Sequence, residues 1–430
     1  MTHESRDCKH PKELWILSLT ELCERFAFWG VGSLLVLYLI ESYHFSNEKA
    51  THIYGLFTGF SAFLPFIGGW IADRWSYQWP LFLGIVLNAV GCFLIAMGIE
   101  HLLPVALIIM ACGYGLFTPS IVTVLGYVYR DKPHLREAGF SIYYASINVG
   151  VFLALFSLGT IAKLIGWKIA FTVAGFVQIV GLIPLAIYLL RHQETYRGLR
   201  ERQKRKDPLP SGQKKRFFVI GVFCLASILF WVAYNQGFSS MAIFVHSFMD
   251  QQVGSFSIPE GVFLSSESFF LVLLAPILAT LYARLQRVGK DVSPATKTAL
   301  SLLFIGACFL LMMIASLHIP AEAKTANISS GYLVGSYFLM AVGEMLLAPI
   351  GLSTLTRLAP PRYTGLIVGI WYVCVGFAFY NGGLLASLMD KMGGLSHFFG
   401  LFVLLTLIPA LLLFLFSKKL TRISGIDPNF

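Results

Sequence analysis

Glu21, Glu24 and Arg25 lie within one short stretch, TELCERFAFWGVGSLLVLYLI from Thr20 to Ile40, whose other residues are almost all apolar. Charges in such a segment are costly unless they face protein or water. Glu21 precedes Arg25 by four residues, so a helix places them on one face where they can neutralise each other, with Glu24 adjacent. If the helix starts near Glu13 and rises about 1.5 Å per residue, Arg25 lies about 18 Å in, close to the middle of a hydrocarbon layer about 30 Å thick. A helix-stabilising ion pair is the plainer role for the trio. Three ionisable groups at mid-depth point instead to a path for an ion or a substrate.

The elements that must hold this trio are membrane helices. Of 430 residues, 57% are hydrophobic and 13% charged, with a mean hydropathy of +0.73; a soluble domain carries about a quarter charged residues. Twelve apolar runs long enough to span a bilayer centre on residues 13–42, 51–72, 79–99, 102–128, 138–162, 167–190, 217–247, 261–284, 298–318, 331–356, 363–389 and 396–417. They are continuously apolar rather than alternating, which excludes a β-barrel and predicts an all-α integral membrane protein.

Lysine and arginine set the orientation. With the N-terminus inside, 26 of the 32 fall in inner segments, five in outer loops, and Arg25 is the remaining one. Cytoplasmic loops are enriched in these residues, so both termini are expected in the cytoplasm and the chain in the plasma membrane, or the inner membrane of a Gram-negative cell. The net charge of +10 is then an orientation signal and implies no nucleic-acid partner. The polar first twelve residues show no cleavable signal peptide. The seven cysteines lie singly, without metal-binding spacing, and read as small packing residues. No nucleophile–base pair or metal-ligand set appears at membrane depth, so an enzyme is not expected.

The longest polar segment, RHQETYRGLRERQKRKDPLPSGQKKR at residues 191–216, divides the chain into a six-helix bundle over 1–190 and another over 217–430. Two such halves around a mid-membrane cavity are the architecture of a secondary transporter of the major facilitator type. The segment itself reads as a solvated cytoplasmic linker that attracts anionic lipid headgroups.

Five motifs then resemble one family in order. Glu21-Leu-Cys-Glu24-Arg25-Phe26 resembles the ExxERF signature on the first helix of proton-dependent oligopeptide transporters. GGWIADRW at 68–75, GFSIYYASINVG at 139–150, FWVAYNQG at 230–237 and GEMLLAPIGLSTLTRLAPPRYTGLIVGIW at 343–371 resemble later family segments. The resemblance implies symport of di- and tripeptides or peptide-like solutes into the cytoplasm, driven by protons through alternating access, by a chain expected to be monomeric. The proton is the coupling ion and no cofactor is expected. By the same resemblance Arg25 would hold the peptide carboxylate, for which its fork of donors is suited. Asn148 and Glu344 would meet the amino end, Glu344 as an ionic acceptor. Asn148 also fits as an interhelical hydrogen-bonding residue.

The departures carry information too. Thr118 stands where many members have a lysine before the fourth-helix proline, and Asn235 where they have a glutamate. Losing both avoids stranding one buried charge. Phe28 and Trp29 replace a usual tyrosine pair. Glu267, aligned through Leu274-Ala275-Pro276, stands in place of a family asparagine and brings a new carboxylate. Glu21, Glu24, Glu267 and Glu344 against Arg25 form a crowd of acids suited to carrying protons and to favouring a cationic substrate. Trp371, Tyr234 and Trp231 are positioned to shape side-chain pockets or simply to pack. The alternatives are a divergent member moving a cationic amine with altered or no coupling, and a nutrient sensor that no longer transports.

Overall fold

The computed structural model describes residues 9–74, 77–129, 132, 135–192, 213–253, 256–287, 292–319, 325–358 and 364–424. Among the described residues twelve helical spans are long and apolar enough to cross a membrane, in keeping with the all-α expectation. The first six are α1 (Lys12–Tyr43), α2 (Asn47–Arg74), α3 (Gln78–Ala96), α4 (Leu103–Val128), α5 (Arg136–Leu164) and α6 (Trp167–Arg191). Most of the linker lies outside the described residues, as do the side chains of Asp73 and Arg74.

The seventh span is broken. α7 (Gln213–Tyr234) gives way to a single 3₁₀ turn at Asn235–Phe238, then α8 (Ser240–Phe248). The turn contains Gly237, which sits against Met340 and Tyr337 with no room to spare. A continuous apolar run hides such a break, because hydropathy does not register the change in winding. A small hairpin pairs Gln252–Val253 with Phe256–Ser257 before the eighth span, α9 (Glu260–Leu264) and α10 (Ser266–Arg287). The last four spans are α11 (Pro294–Leu317), α12 (Ser330–Leu358), α13 (Thr364–Ala386) and α14 (Leu395–Ser424).

Within the first half α1 packs on α5 and α6, and α3 on α4; in the second, α11 packs on α12 and α14. Helices in lipid gain little from apolar burial and need close van der Waals fit, hence small residues at contacts. The two halves meet along α2 and α13, and where α5 meets α9 and α10. At the first seam a Cβ placed on Gly55 would stand 2.7 Å from the Gly383 Cα, and one on Gly376 would stand 2.9 Å from the Gly59 carbonyl oxygen. Backbone therefore meets backbone. Polar contacts fasten the same end: Lys391 Nζ lies 2.6 Å from Glu48 Oε1, and the Asn47 amide donates to Asp390 at 3.3 Å.

Gly383→Val is predicted to open this seam, because overpacking costs about 1–3 kcal/mol and about 1.4 kcal/mol is tenfold in population. In a cysteine-depleted background carrying Thr51→Cys, a membrane-impermeant thiol reagent should label that buried position roughly tenfold faster with Gly383→Val than without. Equal labelling rates would show that the seam tolerates the side chain.

Candidate functional site: two buried acid clusters joined by aromatics

α1 begins after Pro11 and ends at His44, whose left-handed backbone (φ 53°) returns its N–H to the Leu39 carbonyl. The charged turn lies midway, pressed against α5. A Cβ on Gly150 would fall 2.5 Å from the Leu22 carbonyl oxygen, so the family-like INxG segment is what allows this approach.

Glu21, Glu24 and Arg25 are all buried and closed on one another. Arg25 Nε donates to Glu21 Oε1 at 2.6 Å and lies 3.4 Å from Glu24 Oε2. Asn88 on α3 donates to Glu24 Oε1 at 3.0 Å, and the Thr118 hydroxyl on α4 accepts from Arg25 Nη2 at 3.3 Å. The position read from sequence as a lost lysine is thus a neutral partner of the arginine. The Arg25 guanidinium also lies 5.0 Å from the Tyr114 ring centre, a cation–π geometry.

The second cluster lies in the other half. Glu267 on α10 is buried, accepting from Tyr234 at 3.3 Å and from Ser268 at 3.1 Å. Glu344 on α12, the helix that packs on α10, is buried too, near Glu267 and Tyr234, and its Oε2 has no hydrogen-bond partner. Two carboxylates only accept hydrogen bonds, so a direct bond between these two acids would require a proton on one of them. Among the described residues no lysine or arginine pairs with either acid. Asn148 donates to the Tyr144 carbonyl at 3.2 Å, and α5, which carries both residues, packs on α10, the helix of Glu267. α5 therefore reaches this cluster across the boundary between halves.

Aromatic rings link the clusters. Tyr114 stacks on Phe28 at 4.3 Å, and Phe28 meets Trp29 edge-on at 5.6 Å. Trp29 meets Phe379 of α13 at 6.2 Å, Phe379 meets Trp231 at 5.9 Å, and Trp231 meets Tyr234 at 5.0 Å. Phe28 and Trp29, noted in sequence as lost hydroxyls, start this path. Asn235 is buried in the 3₁₀ turn with neither side-chain amide atom hydrogen-bonded, its Cβ tight against Gly382. Trp371 packs its ring on Gly351 and joins α13 to α12.

Sequence reasoning did not single out Asn88, Tyr114 or Phe379. Asn88 carried one usable signal, a lone amide in an apolar span. Tyr114 and Phe379 carried none, because they are aromatics among many.

Twelve spans in two halves, with paired charges at mid-depth, define the class of a secondary membrane carrier. Residues 17–323 match the model of the Major Facilitator Superfamily, and the chain belongs to that superfamily. Peptide transporter YePEPT of Yersinia enterocolitica subsp. palearctica serotype O:3 (strain YE-P4) is 27% identical, the alignment covering 88% of each chain. Dipeptide and tripeptide permease A of Escherichia coli (strain K12) is 24% identical over 97% of this chain and 94% of its own length. A crystal structure of peptide transporter POT in complex with sulfate superposes with a TM-score of 0.84 at 23% identity, covering 97% of this chain and 96% of that one. The fold is the same, and the oligopeptide-transporter resemblance read from the five motifs is borne out by these relatives.

Arg25→Met is predicted to strand Glu21 and Glu24 and to destabilise the protein by about 3–5 kcal/mol, the usual cost of breaking a buried pair from one side. Its unfolding temperature in detergent should fall clearly below wild type, and adding Glu21→Gln should recover part of the loss. An unchanged temperature for Arg25→Met would mean that the trio is not held as a compensated unit.

Proposed function

We propose that this protein imports di- or tripeptides, or peptide-like solutes, together with protons by alternating access, with both termini in the cytoplasm. The observation that carries the proposal is the Glu267–Glu344 carboxyl pair, buried opposite the Arg25 cluster and bridged to it by aromatic rings. The peptide transporters among its relatives support the substrate class.

A zwitterionic peptide needs a cation at one end and an anion at the other. Arg25 supplies the first and the Glu267–Glu344 pair the second, each in a different half, so a bound peptide would draw the halves together. Asn148 lies beside Tyr144 at the amino end of this arrangement, and the unpaired amide of Asn235 offers further polar contact. A substrate ammonium favours an ionised carboxylate beside it, so its arrival displaces the shared proton; an empty pair favours retaining it. Substrate and proton are then coupled through one electrostatic interaction, with Glu21 and Glu24 setting how tightly Arg25 is held. The pairing of Glu267 with Glu344 favours the coupled reading over a carrier without coupling or a silent sensor.

Uptake of a labelled dipeptide such as dialanine into proteoliposomes under an imposed proton gradient tests this. Wild type should accumulate the label above equilibrium. Glu267→Gln should reduce gradient-driven accumulation by at least about tenfold, the effect of one lost interaction worth about 1.4 kcal/mol, while exchange across the membrane persists. Glu267→Asn should behave alike. Accumulation by either variant equal to wild type at every pH would remove Glu267 from coupling; binding without flux in wild type would favour the sensor.

A further inference from the structure

A third cluster lies far from the two just described, at the end of the molecule opposite the C-terminus of α6 and the N-terminus of α7. Glu41 is two residues from the end of α1, His246 sits in α8, and Glu260 opens α9. His246 Nδ1 is 3.6 Å from Glu41 Oε1 and 3.7 Å from Glu260 Oε1. One donor atom from each residue lies within 4.8 Å of the other two.

We propose that Glu41, His246 and Glu260 form a binding site for a divalent transition cation of the zinc type, clasping the two halves of the protein together at this end. Zinc takes nitrogen at about 2.0–2.1 Å and carboxylate oxygen at about 2.0–2.2 Å in tetrahedral array. Donors so arranged stand about 3.3–3.5 Å apart, a few tenths of an ångström inside the two histidine–glutamate separations. An imidazole with two carboxylates suits zinc, whereas calcium and magnesium take oxygen alone.

The surroundings fix the ligands. The Trp167 indole N–H donates to Glu41 Oε2 at 2.9 Å, leaving Oε1 turned towards His246. Lys163 Nζ lies 3.6 Å from Glu260 Oε2, so Oε1 of that residue also faces the histidine. The Lys163 ammonium is held by Gln251 Oε1 at 2.9 Å, Ser257 Oγ at 3.1 Å and the Ile258 carbonyl at 3.3 Å. Each carboxylate is thus anchored by its outer oxygen and presents its inner one, the arrangement by which outer partners orient metal ligands. Lys163 is the one cation facing the cluster among the described residues, and it opposes the incoming charge from the far side of Glu260. A cavity of about 70 Å³ adjoins Glu41 and Glu260, with Lys163 and Trp167 in its wall, room for a water beside the two carboxylates.

The donors come from both halves, so the cation binds only when this end is closed. It therefore favours that state by its differential affinity. The site depends on neither the peptide substrate nor the proton-coupling reading.

The test is calorimetric titration of zinc chloride into full-length, metal-stripped protein in detergent. Wild type should bind one equivalent saturably. His246→Ala should abolish this binding and His246→Cys should retain it, since a thiolate is a zinc ligand. Glu41→Gln and Glu260→Gln should each weaken it at least tenfold, and Trp167→Phe should weaken it by about 10–100-fold, as loss of an outer partner does. Magnesium chloride should not compete. Unfolding temperatures without zinc confirm that each variant is folded; should His246→Ala fail to fold, Glu41→Gln and His246→Cys decide. Absence of saturable zinc binding below about 1 mM, weaker than −4.1 kcal/mol, overturns the proposal. So does binding that survives His246→Ala, or binding indifferent to Glu41→Gln.

Discussion

A guanidinium buried at mid-membrane depth must be compensated where it stands, and much of the first half is arranged to do so. Arg25 has a carboxylate on its own helix face, a second beside it, an amide from α3 fixing that second acid and a hydroxyl from α4. Four residues on three helices are committed to one charge. The glycine at 150 follows from the same requirement, because α5 has to come up against the turn that carries it. The trio sets two acids against one guanidinium. Its balance is therefore sensitive to any further cation or anion brought near.

The second half solves a different problem. Glu267 and Glu344 have no cation beside them among the described residues, and Glu267 is accommodated by hydrogen bonds from Tyr234 and Ser268. One half therefore holds its acids by ion pairing and the other holds them beside hydroxyl donors, with no cation among the described residues. The two solutions respond to different ligands: an anion competes with Glu21 and Glu24 for Arg25, and a cation competes with a proton for the acid pair. Such an asymmetry suits a molecule whose substrate carries both charges.

Most of the architecture was legible in the sequence because lipid leaves few options: continuous apolar runs of this length must be helices. The trio on α1 was legible because its members are neighbours along the chain. Glu267 and Glu344 were each visible as charges in apolar spans, but their nearness was not, since it depends on the packing of α10 on α12. Thr118 was read as an absence and acts as an acceptor. The break at Asn235–Phe238 was hidden inside a run whose hydropathy does not change. Glu41, His246 and Glu260 passed unnoticed for the opposite reason: they are ordinary polar residues at helix ends, brought together only by the closing of two halves.

The glycine seam between α2 and α13 has a mechanical consequence. Side chains packed across an interface can change rotamer and yield gradually, so such a contact behaves as a spring. Where the Gly55 backbone meets that of Gly383 there is nothing to rotate. Repulsion between atoms rises within a few tenths of an ångström, and attraction fades almost as fast on separation. The seam is a hard stop. It defines the closed position of the two halves as a single geometry rather than a range, while holding little elastic energy of its own, and leaves the tendency to stay shut to the charged groups at its rim.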